Sequence, residues 1–185
     1  MNTSLTVQKE HKYEQTAIVK TLTLEDLNAI IQLQGEVCAA LSHQYLYVPF
    51  TQDEMVYELS SFPTHTIGFV TDTNELIALG IYKAVANSPD NYGCHYGLSG
   101  DILNSIGHID TTIVAPSFRG NKLQKHLILA MEEIAQAEGK KTLCATVSPD
   151  NHYSLNTFLN LGYQIKTDKR MYGGLRRYVL AKDLD

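Results

Sequence analysis

A chain of 185 residues with 44% hydrophobic content can build one core of ordinary size, which favours a single domain over two independent halves. Fifteen Lys and Arg against twenty Asp and Glu leave a net charge of −5, which argues against a protein that coats nucleic acid. No apolar run reaches the ~18 residues of a membrane span, and the polar start MNTSLTVQKEHKYEQ lacks the layout of a signal peptide.

In chain order, residues 1–15 read as a polar N-terminal extension ahead of a domain over 16–185. Thr16 to Leu22 is β-branched enough for a strand. Thr23 opens a capping-box-like start with Asp26, and apolar residues at Leu27, Ile30, Ile31, Val37, Cys38 and Leu41 follow at helical spacing. A loop with Tyr45, Tyr47 and Pro49 leads to a second cap, Thr51-Gln-Asp-Glu54, whose short helix is closed by Pro63. TIGFVTD and LIALGIYKAVA read as a hairpin turned by Asp72, Thr73 and Asn74. Residues 87–107 break the pattern, with four glycines and a short helix expected around Asp101 to Ile106. An insertion of this length in a compact domain is either a functional lid or disordered, and the lid is the preferred reading. His108 to Ala115 is then a strand and Pro116-Ser-Phe-Arg-Gly120 a turn. Asn121 to Glu138 is an amphipathic helix stopped by Gly139. TLCATVS is a buried strand, Asn151 to Leu161 a helix closed by Gly162, and YQIKTD and RRYVLAKDL two strands joined across Tyr172-Gly-Gly-Leu175. The pattern is α/β: a mixed, mostly antiparallel sheet of about six to seven strands flanked by helices, with 87–107 inserted between the third and fourth strands.

The helix after Gly120 carries its charges against the helix dipole. Lys122, Lys125 and His126 crowd its start, while Glu132, Glu133 and Glu138 lie in later turns. The order makes sense if an anion docks at that end, where free backbone N–H groups, a glycine and flanking cations form a phosphate cradle. A surface helix with incidental lysines explains the charge order equally well. A Walker loop and a Gly-x-Gly-x-x-Gly dinucleotide turn are both absent.

Val114-Ala-Pro-Ser-Phe-Arg-Gly-Asn-Lys-Leu-Gln124, after a strand and opening a helix, resembles the acyl-CoA pyrophosphate loop of the GNAT superfamily of N-acetyltransferases, commonly Val-x-Pro-x-x-Arg-Gly-x-Gly-x-Gly/Ala. Asn151-His-Tyr-Ser-Leu-Asn-Thr-Phe-Leu-Asn-Leu-Gly-Tyr163 resembles the family's second hallmark, Asn-x-x-Ala/Ser-x-x-x-Tyr-x-x-x-Gly-Phe/Tyr. Both occur in the family's order, and the element order over Ala17 to Leu184 matches as well. Two departures stand out. Lys122 and Gln124 replace the loop's second and third small residues, and Phe158 stands where many members carry a tyrosine that protonates the departing CoA thiolate.

The resemblance implies a GNAT-like fold and acetyl-CoA as co-substrate, with no metal. Its pyrophosphate would be held by Arg119, Gly120, Asn121, Lys122, Leu123, Gln124 and Lys125. Its pantetheine arm would pair like an added strand with backbone at Ile113 and Val114, in a gap between the strands His108–Ala115 and Thr142–Ser148. A backbone N–H there would polarise the thioester carbonyl. Asn151, Ser154 and Phe158 would lie along the cofactor tail, Asn151 also serving as an ordinary N-cap. A neutral primary amine would attack directly, aided by a base. Asp110 and His108 are the candidates, against the plainer readings of a strand-end carboxylate and a surface histidine. Since Phe158 has no proton to give, the leaving thiolate would use water or Tyr153, or leave unaided, a thiol pKa being near ~8.5. The hairpin Tyr172–Arg176, the insertion Tyr92–Gly107, and Tyr45 with Tyr47 would flank the acceptor pocket.

Other constellations are weaker. Cys94, His95, His108 and Asp110 are too loosely spaced for zinc, and no Gly-x-Ser-x-Gly elbow is present. Cys38, Cys94 and Cys144 are odd in number and widely spaced, so they read as reduced thiols of a cytoplasmic protein. The expected activity is acetyl transfer to a small-molecule or amino-acid-like amine, in a monomer or homodimer without nucleic-acid or membrane partners. Acetylation of a protein or peptide amine, and a non-catalytic acyl-CoA sensor, are the alternatives; Phe158 sustains the second.

Overall fold

A computed structural model describes residues 3–61 and 64–184. Eight strands form one sheet in the order β1-β2-β3-β4-β5-β6-β8-β7. They are β1 (Ser4–Lys9), β2 (Tyr13–Thr21), β3 (Thr64–Thr71), β4 (Leu76–Lys83), β5 (Ile106–Val114), β6 (Thr142–Val147), β7 (Gln164–Met171) and β8 (Leu175–Asp183). The helices are α1 (Leu27–Ala39), α2 (Gln52–Ser60), α3 (Leu123–Ala137) and α4 (His152–Asn160). β5 and β6 pair in parallel, which requires a crossover, and α3 supplies it. The β1–β2, β2–β3, β6–β8 and β7–β8 pairs are antiparallel. Two compact units share the chain. The first takes the described residues up to Ile81 with Thr111–Ala130, the second Tyr82–Asp110 with the described residues from Met131 onward.

In the first unit both expected capping boxes form. Thr23 with Asp26 opens a 3-10 turn that runs into α1, and Thr51 with Glu54 opens α2. α2 ends at Ser60; the expected stop at Pro63 lies outside the described residues. Ile30, Leu33, Phe69, Leu79, Phe118 and Leu127 are among its buried side chains. Tyr47 donates to the buried Gln34 Oε1 of α1 at 2.7 Å, and Tyr45 stacks on His43 of its own loop.

The strand count exceeds the expected six to seven because residues 4–9 form a strand of their own. β1 pairs with β2 through a turn in which Glu10 and His11 both have positive φ, at 50° and 58°, with Lys12 N–H donating to Lys9 C=O at 2.9 Å. A turn with two successive positive-φ residues is ordinarily signalled by Asn-Gly or Asp-Gly. Glu-His gives no such signal, and only Val7 of β1 is buried.

In the second unit the insertion is a packed wall. Tyr92–Tyr96 and Gly100–Ser105 are 3-10 helices, the latter where a short helix was expected. Asn91, fully buried, ties it down: Oδ1 accepts from Gly93 N–H at 2.9 Å, and Nδ2 donates to the carbonyls of Ala86 and Leu103. Tyr92, Leu103 and Ile106 join Cys144, Val179 and Ala181 in one apolar cluster. The burial of these side chains holds the insertion in place without a regular strand or α-helix.

Candidate active site

The anion loop lies in the first unit. Arg119, Lys122 and Lys125 are exposed around the start of α3, whose first turn holds no acidic residue. His126 N–H donates to Lys122 C=O, which marks the start of α3. Three cations around a helix N-terminus fit a polyphosphate. His126 adds no charge: burial, then Lys125 and Lys122, lower its pKa, and its ring packs edge-on against Phe69.

Several loop side chains are engaged elsewhere. Asn121 holds the N-terminal hairpin: its Oδ1 accepts from Gln8 N–H and its Nδ2 donates to Gln8 C=O, both at 2.8 Å. Glu10 N–H donates to Ser117 C=O. Gln124 Nε2 donates to Thr112 Oγ1 at 3.1 Å. Gly120 has φ +90°, and a Cβ there would meet the His11 ring, Cε1 lying 2.6 Å away. The space that a side chain at Gly120 would need is therefore taken by the His11 ring of the N-terminal hairpin. Lys122 has φ +58°, a left-handed conformation that explains the glycine common at this position in the resembling family.

These backbone angles predict opposite responses. Lys122→Gly removes left-handed strain and is expected to raise unfolding stability by about 1 kcal/mol, whereas Gly120→Ala introduces it and lowers stability by about the same amount. Denaturant melts check both signs. Equal destabilisation by the two substitutions would show that backbone strain does not govern the loop.

The second unit holds a cavity of about 310 Å³, lined by the insertion (Asp90, Tyr92, His95), Val85 just before it, the strands (Lys83, His108, Asp110) and the hairpin (Met171, Tyr172). The two segments expected to flank an acceptor thus line one space. Asp110 lies in it, with Oδ2 3.3 Å from Lys83 Nζ and Oδ1 accepting from the Tyr92 hydroxyl at 3.3 Å. A carboxylate offers about four lone-pair sites, and these contacts use two. The Tyr92 hydroxyl also lies 2.8 Å from the Tyr172 hydroxyl, which lies 3.0 Å from Thr146 Oγ1. Burial, then the Asp110 charge and Tyr172, push the Tyr92 hydroxyl well above the ordinary tyrosine range, so it stays protonated at neutral pH. The hairpin turn Tyr172-Gly173-Gly174 has positive φ throughout, at 49°, 77° and 108°, an uncommon conformation for a bulky side chain.

His108 is neither a surface residue nor placed as a base. It is 2% exposed, its ring stacks on Tyr92 with centroids 4.0 Å apart, and its Nε2 accepts from Tyr92 N–H at 3.0 Å. That bond occupies the lone pair a base would need. Burial, with Lys83 and other cations adding, lowers its pKa to about 3. Tyr153 is 92% exposed, so solvent surrounds its ring. Asn151 Oδ1 accepts from Ser154 N–H at 3.2 Å, an N-cap on α4. Phe158 is 2% exposed and packs edge-on against Tyr163. The thiol of Cys144 is raised to about 11 by burial, which makes it inert at neutral pH. The segments beginning at Tyr92 and Tyr172 were expected near the pocket, but the contact between their hydroxyls, and the parts of Lys83 and Thr146, had no signal in the sequence. Among the described residues no group of three or more His, Cys, Asp or Glu is placed to hold a metal, and no helix is long and apolar enough to cross a membrane.

A family model described as the Acetyltransferase (GNAT) family matches residues 35–163, more than half of the chain. The chain belongs to the GNAT acetyltransferase family. The N-acetyltransferase from Staphylococcus aureus Mu50 shares its fold at TM-score 0.70 and 18% identity, covering 91% of this chain and 99% of that one. The ribosomal-protein-S18-alanine N-acetyltransferase from Escherichia coli is similar at TM-score 0.69 and 14% identity, with 91% and 94% covered. A GNAT superfamily phosphinothricin acetyltransferase from Sinorhizobium meliloti, in complex with acetyl-CoA, is similar at TM-score 0.69 and 15% identity, with 91% and 88% covered. A comparison with curated proteins finds no significant match. The two named acceptors, a protein alanine and a small molecule, show one fold serving unlike substrates, so the acceptor of this acetyltransferase has to be argued from its own cavity.

Proposed function

We propose that this acetyltransferase moves the acetyl group of acetyl-CoA to the primary amine of a small molecule by direct attack. Arg119 to Lys125 would hold the pyrophosphate through backbone N–H groups and the three cations; Asn121 and Gln124 would contribute backbone only, their side chains being engaged elsewhere. Backbone at Ile113 and Val114 would pair with the pantetheine arm, and Asn151, Ser154 and Phe158 would line it. Asp110 would take the proton of the arriving ammonium.

The observation that carries the acceptor reading is the cavity in the second unit. About 310 Å³ suits a small molecule, and the lining sets the carboxylates of Asp90 and Asp110 against the single ammonium of Lys83 among aromatic and apolar walls, an acidic balance that favours a compact cation. A reducing, cytoplasmic setting is part of the proposal, in keeping with the free thiols of Cys38, Cys94 and Cys144. The sensor reading draws on Phe158, which cannot protonate a thiolate.

A thermal melt and a thiol-release assay test the proposal together. Acetyl-CoA at about a hundred times its Kd is expected to stabilise the fold by roughly 2.7 kcal/mol, a rise of about 5–10 °C in Tm. Thiol release with a panel of small amines is expected to follow. Stabilisation without release from any amine supports the sensor, release only with peptide amines supports a protein acceptor, and no stabilisation removes the cofactor.

A further inference from the structure

Four side chains in the second unit are joined head to tail. Thr146 Oγ1 is 3.0 Å from the Tyr172 hydroxyl, which is 2.8 Å from the Tyr92 hydroxyl, which donates to Asp110 Oδ1 at 3.3 Å. The chain bridges two neighbouring strands: β5 and β6 are in register at Ile109 and Ala145, and Asp110 and Thr146 are the next residue on each. Its parts are held rigidly. Tyr92 is buried and stacked on His108, the guanidinium of the buried Arg177 lies 5.8 Å over the Tyr172 ring, and Lys83 holds the far oxygen of Asp110. Tyr172 is itself 48% exposed, so its side chain is partly open to solvent.

Proton counting gives the chain a direction. An ionised Asp110 only accepts, so Tyr92 donates to it, Tyr172 to Tyr92, and Thr146 to Tyr172. A proton gained by Asp110 turns it into a donor. Each link can then reverse, leaving a proton at Tyr172 available to an outside acceptor.

We propose that Asp110, Tyr92 and Tyr172 form a proton relay in which Tyr172 is the general acid that Phe158 cannot be. The relay rests on the N-acetyltransferase reading above. The amine nitrogen forms a bond to the acetyl carbon, the carbon–sulfur bond breaks, and its electron pair leaves on sulfur. The acceptor ammonium gives up two protons in all. Asp110 takes one, which is returned through Tyr92 and Tyr172 to the sulfur as a free thiol; the other goes to solvent. Tyr172 is thus a catalytic residue and Tyr92 a positioning residue that conducts.

The relay is tested first without substrate. In protein labelled with 13C at the tyrosine ring carbon bearing the hydroxyl, the Tyr92 and Tyr172 resonances are both expected to move in Asp110→Asn relative to wild type. In a Tyr92→Phe background the Tyr172 resonance should no longer respond to that substitution. A Tyr172 resonance indifferent to Asp110 overturns the relay. In turnover, Tyr172→Phe is expected to lower kcat at least tenfold, with acetyl-CoA affinity unchanged within about twofold. It should also lose the solvent deuterium isotope effect on thiol release. Wild-type protein that releases no thiol with any amine defeats the enzyme reading, whatever the resonances show. Wild-type turnover that Tyr172→Phe matches defeats the relay alone.

Discussion

Asp110→Asn is expected to lower turnover about a hundredfold or more while changing acetyl-CoA affinity less than about threefold. A positioned base or acid is worth roughly 10²–10⁴ in rate, and Asn keeps the size and one acceptor oxygen of Asp while losing the ability to take a proton. The residue stands in the second unit, between Lys83 and the Tyr92 hydroxyl and on the wall of the cavity. The loop proposed to hold the pyrophosphate belongs to the first unit, so the substitution is expected to separate proton transfer from phosphate capture. Calorimetric titration with acetyl-CoA reads the affinity, and thiol release under saturating amine reads kcat. Unchanged kcat would remove Asp110 from proton transfer and leave it a strand-end carboxylate paired with Lys83. A matching loss of affinity would mean that it shapes the fold.

The second large effect is on stability in acid. His108 has a folded-state pKa near 3 against an ordinary value of 6.5. In the unfolded chain it binds a proton as pH falls below about 6.5; in the folded protein it refuses one until about 3. The unfolded state therefore binds more protons through this window, and stability falls as pH falls. The contribution is complete above about 6.5 and lost towards 3, with a size on the order of a few kcal/mol. The cause is burial: the ring lies against Tyr92, with Nε2 already accepting a backbone hydrogen bond. His108→Gln keeps an acceptor but cannot titrate. It is expected to lower stability at pH 7 through lost stacking, yet to show a flatter decline between pH 6.5 and 4.5. His126, whose pKa is also lowered by burial and by Lys125 and Lys122, lies in the other unit and slopes the same way in both proteins, so it cancels in the difference. Parallel curves for the two proteins would overturn the assignment.

The N-terminal hairpin shows how a local signal can be missing while the structure is definite. Its turn residues, Glu10 and His11, are poor indicators of positive φ, and six polar-looking residues hid a strand whose single buried side chain is Val7. What holds it is remote in sequence: Asn121 and Ser117 on the anion loop bond to Gln8 and Glu10. His108 misled for a related reason. Strand alternation places it beside Asp110 on one face, but burial by Tyr92 depends on how the insertion folds back, and no periodicity describes that segment.

Periodicity was enough to determine an α/β chain with both capping boxes and an amphipathic helix after a cationic turn, because each follows from neighbours within a few residues. The two family motifs determined the family for the same reason, each being a short contiguous stretch. Tertiary structure alone decided that Asp110 meets Lys83 and Tyr92, that Tyr172 joins them, and that His11 covers Gly120. Those contacts join residues up to 109 positions apart, as between His11 and Gly120, and a hydrogen bond or a ring contact is set by distance in space, which only packing fixes.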